Sequence, residues 1–249
     1  MGRPPRLDAR IGCAGWSIPK EHAGSFPEEG SHLERYARRF PAVEINSSFY
    51  RPHRPSTYAR WAAETPAGFS FSIKVPREIT HDRRLVGAGE PLDRFLDETA
   101  QLGAKRGPLL VQLPPSLAFD RGVAAAFLEA LRRRYDGGVA WEPRHRSWFE
   151  PEADRLLADH EAARVAADPA VVPRAAEPGG WRGLIYHRLH GSPVMYHSAY
   201  PDSDRDALAD RLAAEAGDGP VWCIFDNTAE GAATSDALAV LDRLQAPPR

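Results

Sequence analysis

Eight short apolar runs recur along the chain, each followed by a stretch of helical period, and this alternation constrains the fold more than any other feature. The runs are RIGCAGW (10–16), AVEINSS (42–48), FSFSIKVP (69–76), PLLVQLPP (108–115), GVAWEPRH (138–145), ARVAAD (163–168), GLIYHRLHG (183–191) and VWCIFDN (221–227). Their lengths are those of strands. Between them, SHLERYARRF places Leu33, Tyr36 and Ala37 on one helical face, and LDRFLDETAQLG stacks Leu92, Phe95, Leu96 and Leu102 before Gly103. Such alternation predicts a parallel α/β protein. Eight units in 249 residues match the count and length of a single (β/α)8 TIM barrel with eight parallel strands. The competing doubly wound sheet finds no support, because GCAGWS is not G-x-G-x-x-G and there is no P-loop. The barrel domain is expected over 10–245, behind a flexible tail of residues 1–9. The looser segments 77–91, 169–182 and 192–206 each follow a run and read as long loops on the face where barrel active sites sit.

Composition narrows the setting. A net charge of −2 argues against a protein that coats nucleic acid or an anionic membrane. No apolar run reaches the ~20 residues of a membrane span. MGRPPRLDAR carries no secretory h-region. Cys13 and Cys223, 210 residues apart, match neither a disulfide scaffold nor a metal motif. A cytoplasmic protein is expected.

Within the runs, polar residues keep one parity and lie near the C-terminal ends. Glu44 and Asn46 share a face of the second run, and Ser70, Ser72 and Lys74 share one of the third. Gln112, Glu142, Arg188, His190 and Asp226 hold comparable places, Arg144 lies two beyond Glu142, and Asp168 ends the sixth run. In a barrel one parity faces the interior and the other the helices, which require apolar contact. The polar set is therefore expected to converge at the C-terminal mouth. Lys74 is expected to be the nearest partner of Glu44.

Joint occurrence of GCAGWS, VEINSSFYRPHRPSTYARWAAETP, FSIKVPREITHDRRL, RGPLLVQLPPS, EPRHRSWF, HRLHG and FDNTAEGAA resembles the DUF72 family, also called YecE-like proteins. These motifs run from residue 11 to about 240. The resemblance implies a TIM-barrel fold and names no reaction. It carries the family's recurrent polar positions onto Glu44, Asn46, Lys74, Gln112, Glu142, Arg144, His145, Arg188, His190 and Asn227. Family members often have two asparagines where this chain has FDN, so Asp226 replaces an amide.

The expected chemistry is acid–base catalysis on a small polyhydroxylated or phosphorylated substrate. Glu44 and Glu142, across the interior from one another, would divide acid and base duties. Lys74, one of three lysines in the chain, and His190 would act as electrophiles or proton carriers. Arg188 with Asn227 would clamp an anion, because barrels bind phosphate at the last two loops. Either Asn227 or Thr228 is a candidate cap for the last helix. Arg144 and His145 would add donors, and Asn46, Tyr50, Gln112, Asp168 and Asp226 would contact substrate. Trp16, Phe49, Tyr50, Trp148, Phe149, Tyr196 and Tyr200 are aromatics near loop ends that could stack on a sugar or base.

No motif requires a cofactor. Glu44, Glu142, Asp168 and His190 offer oxygen and imidazole ligands for a divalent metal. But Lys74 and Arg188 already supply positive charge and no H-x-H or H-E-x-x-H spacing occurs, so no metal site is assigned. Alternatives are a nucleic-acid or nucleotide binder, with metal-assisted phosphodiester cleavage, and a ligand binder without turnover.

Overall fold

A computed structural model describes residues 9–216 and 219–246. The expected tail of residues 1–9 lies outside these except for Ala9, which opens the first strand. Strands β1 (Ala9–Cys13), β2 (Ala42–Ile45), β3 (Ser70–Lys74), β4 (Arg106–Gln112), β5 (Val139–Glu142), β6 (Ala162–Arg164), β7 (Ala166–Asp168), β8 (Gly179–Gly180), β9 (Ile185–Leu189) and β10 (Val221–Phe225) alternate with helices. The helices are α1 (His32–Ala37), α2 (Pro55–Glu64), α3 (Gly89–Thr99), α4 (Arg121–Arg132), α5 (Pro151–Asp159), α6 (Asp202–Glu215) and α7 (Ala232–Gln245). The helical faces are those expected: Leu33, Tyr36 and Ala37 of α1, and Leu92, Phe95 and Leu96 of α3, are buried.

All pairings are parallel except that of β8, which runs antiparallel to β6. The ladders form two sheets, ordered β1-β10-β9-β7 and β2-β3-β4-β5-β6-β8. The expected parallel α/β character is present, while the hydrogen-bonded ladders stop short of one eight-stranded ring. The sixth run is divided: Ala162–Arg164 pairs with β5 and Ala166–Asp168 with β9. Stagger between tilted neighbours has this effect on a short strand, whose two halves then face different partners. Between β1 and β2 there is a single bridge, Ala14 to Glu44, with Gly15 N–H donating to Glu44 O at 2.9 Å. The two backbones approach so closely that a Cβ on Gly12 would lie 2.1 Å from Ala42 O. Tyr36 bolts this seam from α1, its hydroxyl accepting from Cys13 N–H at 2.8 Å and donating to Ala42 O at 3.1 Å.

The parity of each strand separates two apolar clusters. The larger lies between strands and helices. The smaller is formed by Ala42, Leu110, Ala140, Ala163, Val165, Ala167, Tyr186, Trp222 and Ile224 with Leu184. Its many alanines leave room for Tyr186 and Trp222, whose rings stack at 6.1 Å. One or two steps further along the same strand faces come Glu44, Gln112, Glu142, Arg188, His190 and Asp226. Polar side chains therefore sit on an apolar floor, at the C-terminal ends of the strands.

Candidate functional site

Arg188 is the hub of this polar layer. Its Nε donates to Glu44 Oε2 at 3.0 Å and its Nη2 to Glu44 Oε1 at 2.8 Å, the two-point fit of guanidinium to carboxylate. Nη1 donates to Glu142 Oε2 at 3.2 Å, and Nη2 also lies 2.9 Å from Asp226 Oδ2. Arg188, Glu44 and Glu142 are all 0% exposed. Tyr186 donates its hydroxyl to Glu44 Oε2 at 3.1 Å and lies 2.8 Å from Ser72 Oγ. Burial opposes the charge on Arg188, but Asp226, Glu44 and Glu142 outweigh it and hold its pKa well above the ordinary value.

Glu142 is the second junction. Its Oε2 accepts from Gln112 Nε2 at 2.9 Å, and its Oε1 lies 2.8 Å from Arg144 Nη2 and 2.9 Å from His190 Nε2. Burial alone would raise its pKa. The cations Arg144 and Arg188, with His190, reverse that and hold it well below the carboxylate range. His190 is fixed from its other side by Asp226 Oδ2, 3.1 Å from Nδ1. Asp226 too is lowered against burial, first by Arg188 and then by His190 and Lys74. Asp226 thus anchors the imidazole.

His190 Nε2 has neighbours of opposite kind, with Arg188 Nη1 a further donor at 3.4 Å. Glu142 Oε1 is an acceptor at 2.9 Å, and Arg144 Nη2 is a donor at 2.7 Å. With a proton, Nε2 donates to Glu142. Without it, Nε2 accepts from Arg144. Each protonation state has its own partner already in place.

Lys74 does not pair with Glu44, contrary to expectation. The register sets Glu44 level with Ser72, so Lys74 lies one layer higher. Its ammonium sits 4.3 Å above the Phe49 ring and has no hydrogen bond or ion pair among the described residues, although the side chain is 5% exposed. Burial brings its pKa down to about 8, helped by Arg188 and opposed by Glu44, Glu142 and Asp226. Three buried atoms just past strand ends lack hydrogen-bond partners: Asn46 Oδ1, Arg144 Nε and Asn227 Oδ1.

Several expected members stand elsewhere. Asp168 lies one residue past Ala167 and so takes the opposite parity; its Oδ2 accepts from the Tyr200 hydroxyl at 2.6 Å. With Asp168 turned away and Arg188 among the other carboxylates, the oxygen-plus-imidazole set does not assemble. Among the described residues no three His, Cys, Asp or Glu side chains form a metal-ligand group. Asn227 points away from the interior, its Nδ2 donating to Ser198 O and Asp236 Oδ2 at 2.8 Å each. It does not cap α7, whose N-cap is Gly231 at φ 84°. Arg188 likewise has its donors engaged by carboxylates, so neither member of the expected anion clamp is free. His145 Nδ1 accepts from Ser147 N–H at 3.3 Å and lies 2.9 Å from Ser147 Oγ, fixing the turn after β5. Tyr50 is 73% exposed and packs its ring edge-on to Phe49. Trp148 and Phe149 are buried. Tyr196 reaches the layer, edge-on to His190 at 5.6 Å and 42% exposed. A cavity of about 540 Å³ lies where the expected phosphate loops follow β9 and β10. It is lined by Val194, His197, Ser198 and Glu230, and the Glu230 carboxylate there works against a phosphate.

Sequence reasoning passed over Tyr186 and Phe49 as partners of the charged residues. Tyr186 carried a signal, because it shares the parity of Arg188 and His190.

Fold and polar layer together define a TIM-barrel-like α/β protein. Two solved structures of DUF72 family proteins superpose over nearly the whole chain. One, from Enterococcus faecalis V583, has a TM-score of 0.80 at 22% identity, covering 97% of each chain. Another, from Thermotoga maritima MSB8, has 0.79 at 23%, covering 96% of this chain and 99% of that one. The model of the family described as "Protein of unknown function DUF72" matches residues 10–249, and the chain belongs to that family. UPF0759 protein YecE of Escherichia coli K12 is 31% identical over 175 residues, 68% of this chain and 61% of that protein. UPF0759 protein YunF of Bacillus subtilis 168 is 30% identical over 150 residues, 57% of this chain and 52% of that protein. The matched region thus spans about half to three-fifths of these relatives. No helix among the described residues is long and apolar enough to cross a membrane.

Proposed function

We propose that the chain is an acid–base enzyme acting on a small polyhydroxylated or phosphorylated substrate at the C-terminal mouth of the strands. The observation that carries this reading is His190 Nε2, set between the acceptor Glu142 and the donor Arg144. A group with a partner ready for each protonation state can give and take a proton with little rearrangement. In this reading His190 is the proton carrier and Glu142 the carboxylate that stabilises its cation. The division of acid and base between Glu44 and Glu142 is revised, since Arg188 and Tyr186 occupy both oxygens of Glu44. Asn46 and Arg144 face substrate, because each offers a buried polar atom without a partner, and Lys74 joins them, because its ammonium has no ion pair among the described residues. Lys74, with no ion pair of its own, replaces Arg188 as the cation that meets an anionic or carbonyl oxygen. Tyr196 and Phe49 flank the mouth with ring faces suited to a sugar. We read the Ala14–Glu44 bridge and the divided sixth run as the seams that close the parallel strands into a barrel. Cys13 and Cys223 are buried, unpaired thiols, which suits the cytoplasm.

A panel of sugars, sugar phosphates and polyols tests the reading by thermal shift and by NMR in D2O, which follows solvent deuterium entering carbon positions. At least one compound should raise the melting temperature and exchange. His190→Asn should then slow exchange about 10²–10⁴-fold in a folded protein that still binds the compound. Binding by no compound, or wild-type exchange in His190→Asn, would count against it.

A further inference from the structure

Lys74 combines features that a salt-bridge lysine does not. The residue is 5% exposed, yet among the described residues its nitrogen, over the Phe49 ring, forms no ion pair with a carboxylate. Glu44, Glu142 and Asp226 surround the neighbouring Arg188 instead. The Phe49 ring supports the ammonium from one side only. Ser48 holds the strand end in place, its hydroxyl donating to Lys74 O at 2.7 Å. This is a largely buried amine at the end of a strand, its nitrogen over the Phe49 ring against which His81 also packs edge-on. An aldehyde or ketone is the electrophile such an amine suits.

We propose that Lys74 forms a Schiff base with the aldehyde or ketone group of a small polyhydroxylated substrate; this rests on the acid–base reading above and narrows its substrate class to carbonyl compounds. The nitrogen lone pair forms the new C–N bond and the carbonyl π pair moves to oxygen. Both protons of the neutral amine end on that oxygen, which leaves as water with the C–O electron pair, leaving C=N. No oxidant or reductant is consumed. A lysine at about 8 holds roughly 300-fold more free amine at neutral pH than one at its ordinary value.

The chain contains three lysines, so reductive trapping gives a simple readout. The full-length protein is treated with glycolaldehyde phosphate and cyanoborohydride at neutral pH, and labelled peptides are mapped by mass spectrometry. Label should enter Lys74 well ahead of exposed Lys20 and of Lys105, whose amine donates to Ala62 O and Thr65 O, with the α-amino group as internal reference. Lys74→Arg keeps a cation over Phe49 and should remove that label while the others persist. Label on Lys20 or Lys105 without Lys74 would overturn the proposal. If Lys74 stays unlabelled while His190→Asn still abolishes exchange of a panel compound, the Schiff base falls and the acid–base reading stands. If no panel compound binds or exchanges either, both fall.

Discussion

Replacing Arg188 by Leu is expected to destabilise the fold by about 3–5 kcal/mol at neutral pH, the scale for removing one partner of a buried ion pair. The guanidinium is shared by Glu44, Glu142 and Asp226, so its loss leaves Glu44 and Asp226 without their main cation and Glu142 with Arg144 as its one arginine, and the upper end of that range is expected. The pH dependence gives a signature. In the wild type, Glu142 and Asp226 have folded pKa values below their ordinary ones. They therefore contribute stability above about pH 4, and that stability is lost as pH falls through the folded values. Without the guanidinium, burial pushes Asp226 back up and Glu142 keeps only the lowering from Arg144 and His190, so the variant gains stability relative to wild type as these carboxyls protonate. Urea unfolding at several pH values should show the gap between the proteins narrowing from neutrality toward pH ~4. A gap below about 1 kcal/mol at neutral pH, as for an exposed pair, would show that Arg188 is not the hub described.

Lys74→Met should have the opposite sign. The amine is lowered from 10.5 to about 8, so the folded state carries a penalty for keeping it charged. At about 1.4 kcal/mol per pH unit this amounts to roughly 3 kcal/mol. The penalty is fully present below pH 8 and is relieved as pH rises from 8 to 10.5. Methionine removes it and gives up a cation–π contact worth about 1–2 kcal/mol. The variant should be more stable than wild type at neutral pH by about 1–2 kcal/mol, the remainder after that loss. The gap should shrink toward pH 10.5, where the amine is neutral and the cation–π contact is gone as well. Burial pushes Cys13 up to about 12 and raises Tyr36, and these groups cost both proteins stability in alkali. The difference between the two unfolding curves therefore isolates Lys74. Loss of stability at neutral pH would mean that the lysine is an ordinary structural cation.

Much of this site is legible in the sequence, and what is missed has a physical cause. Alternation along each run puts Glu44, Lys74, Gln112, Glu142, Arg188, His190 and Asp226 on the interior face, because strand side chains alternate with period two. Partner choice is harder to read, since it depends on the stagger between strands. Glu44 is level with Ser72 rather than Lys74, and Arg188 on β9 is long enough to reach it. Asp168 misleads for a related reason. It ends an apolar run as the others do, but the interior parity there belongs to Ala163, Val165 and Ala167. The division of that run between β5 and β9 leaves no mark in its residues. Asn227 follows the interior-facing Asp226 and so turns outward, where Asp236 of α7 takes its amide. The two-residue β8 has no apolar run; its Gly179 admits the Arg164 guanidinium, which a Cβ would meet at 2.2 Å.

The central claim is that the polar layer holds one amine without a counter-ion, at the mouth where substrate would bind. Carbon-13 NMR of protein labelled at the lysine ε-carbons reads that directly, because Lys20, Lys74 and Lys105 give three signals. The signal that Lys74→Met removes should titrate near 8. Titration of that signal at the ordinary lysine value of about 10.4 would contradict the account.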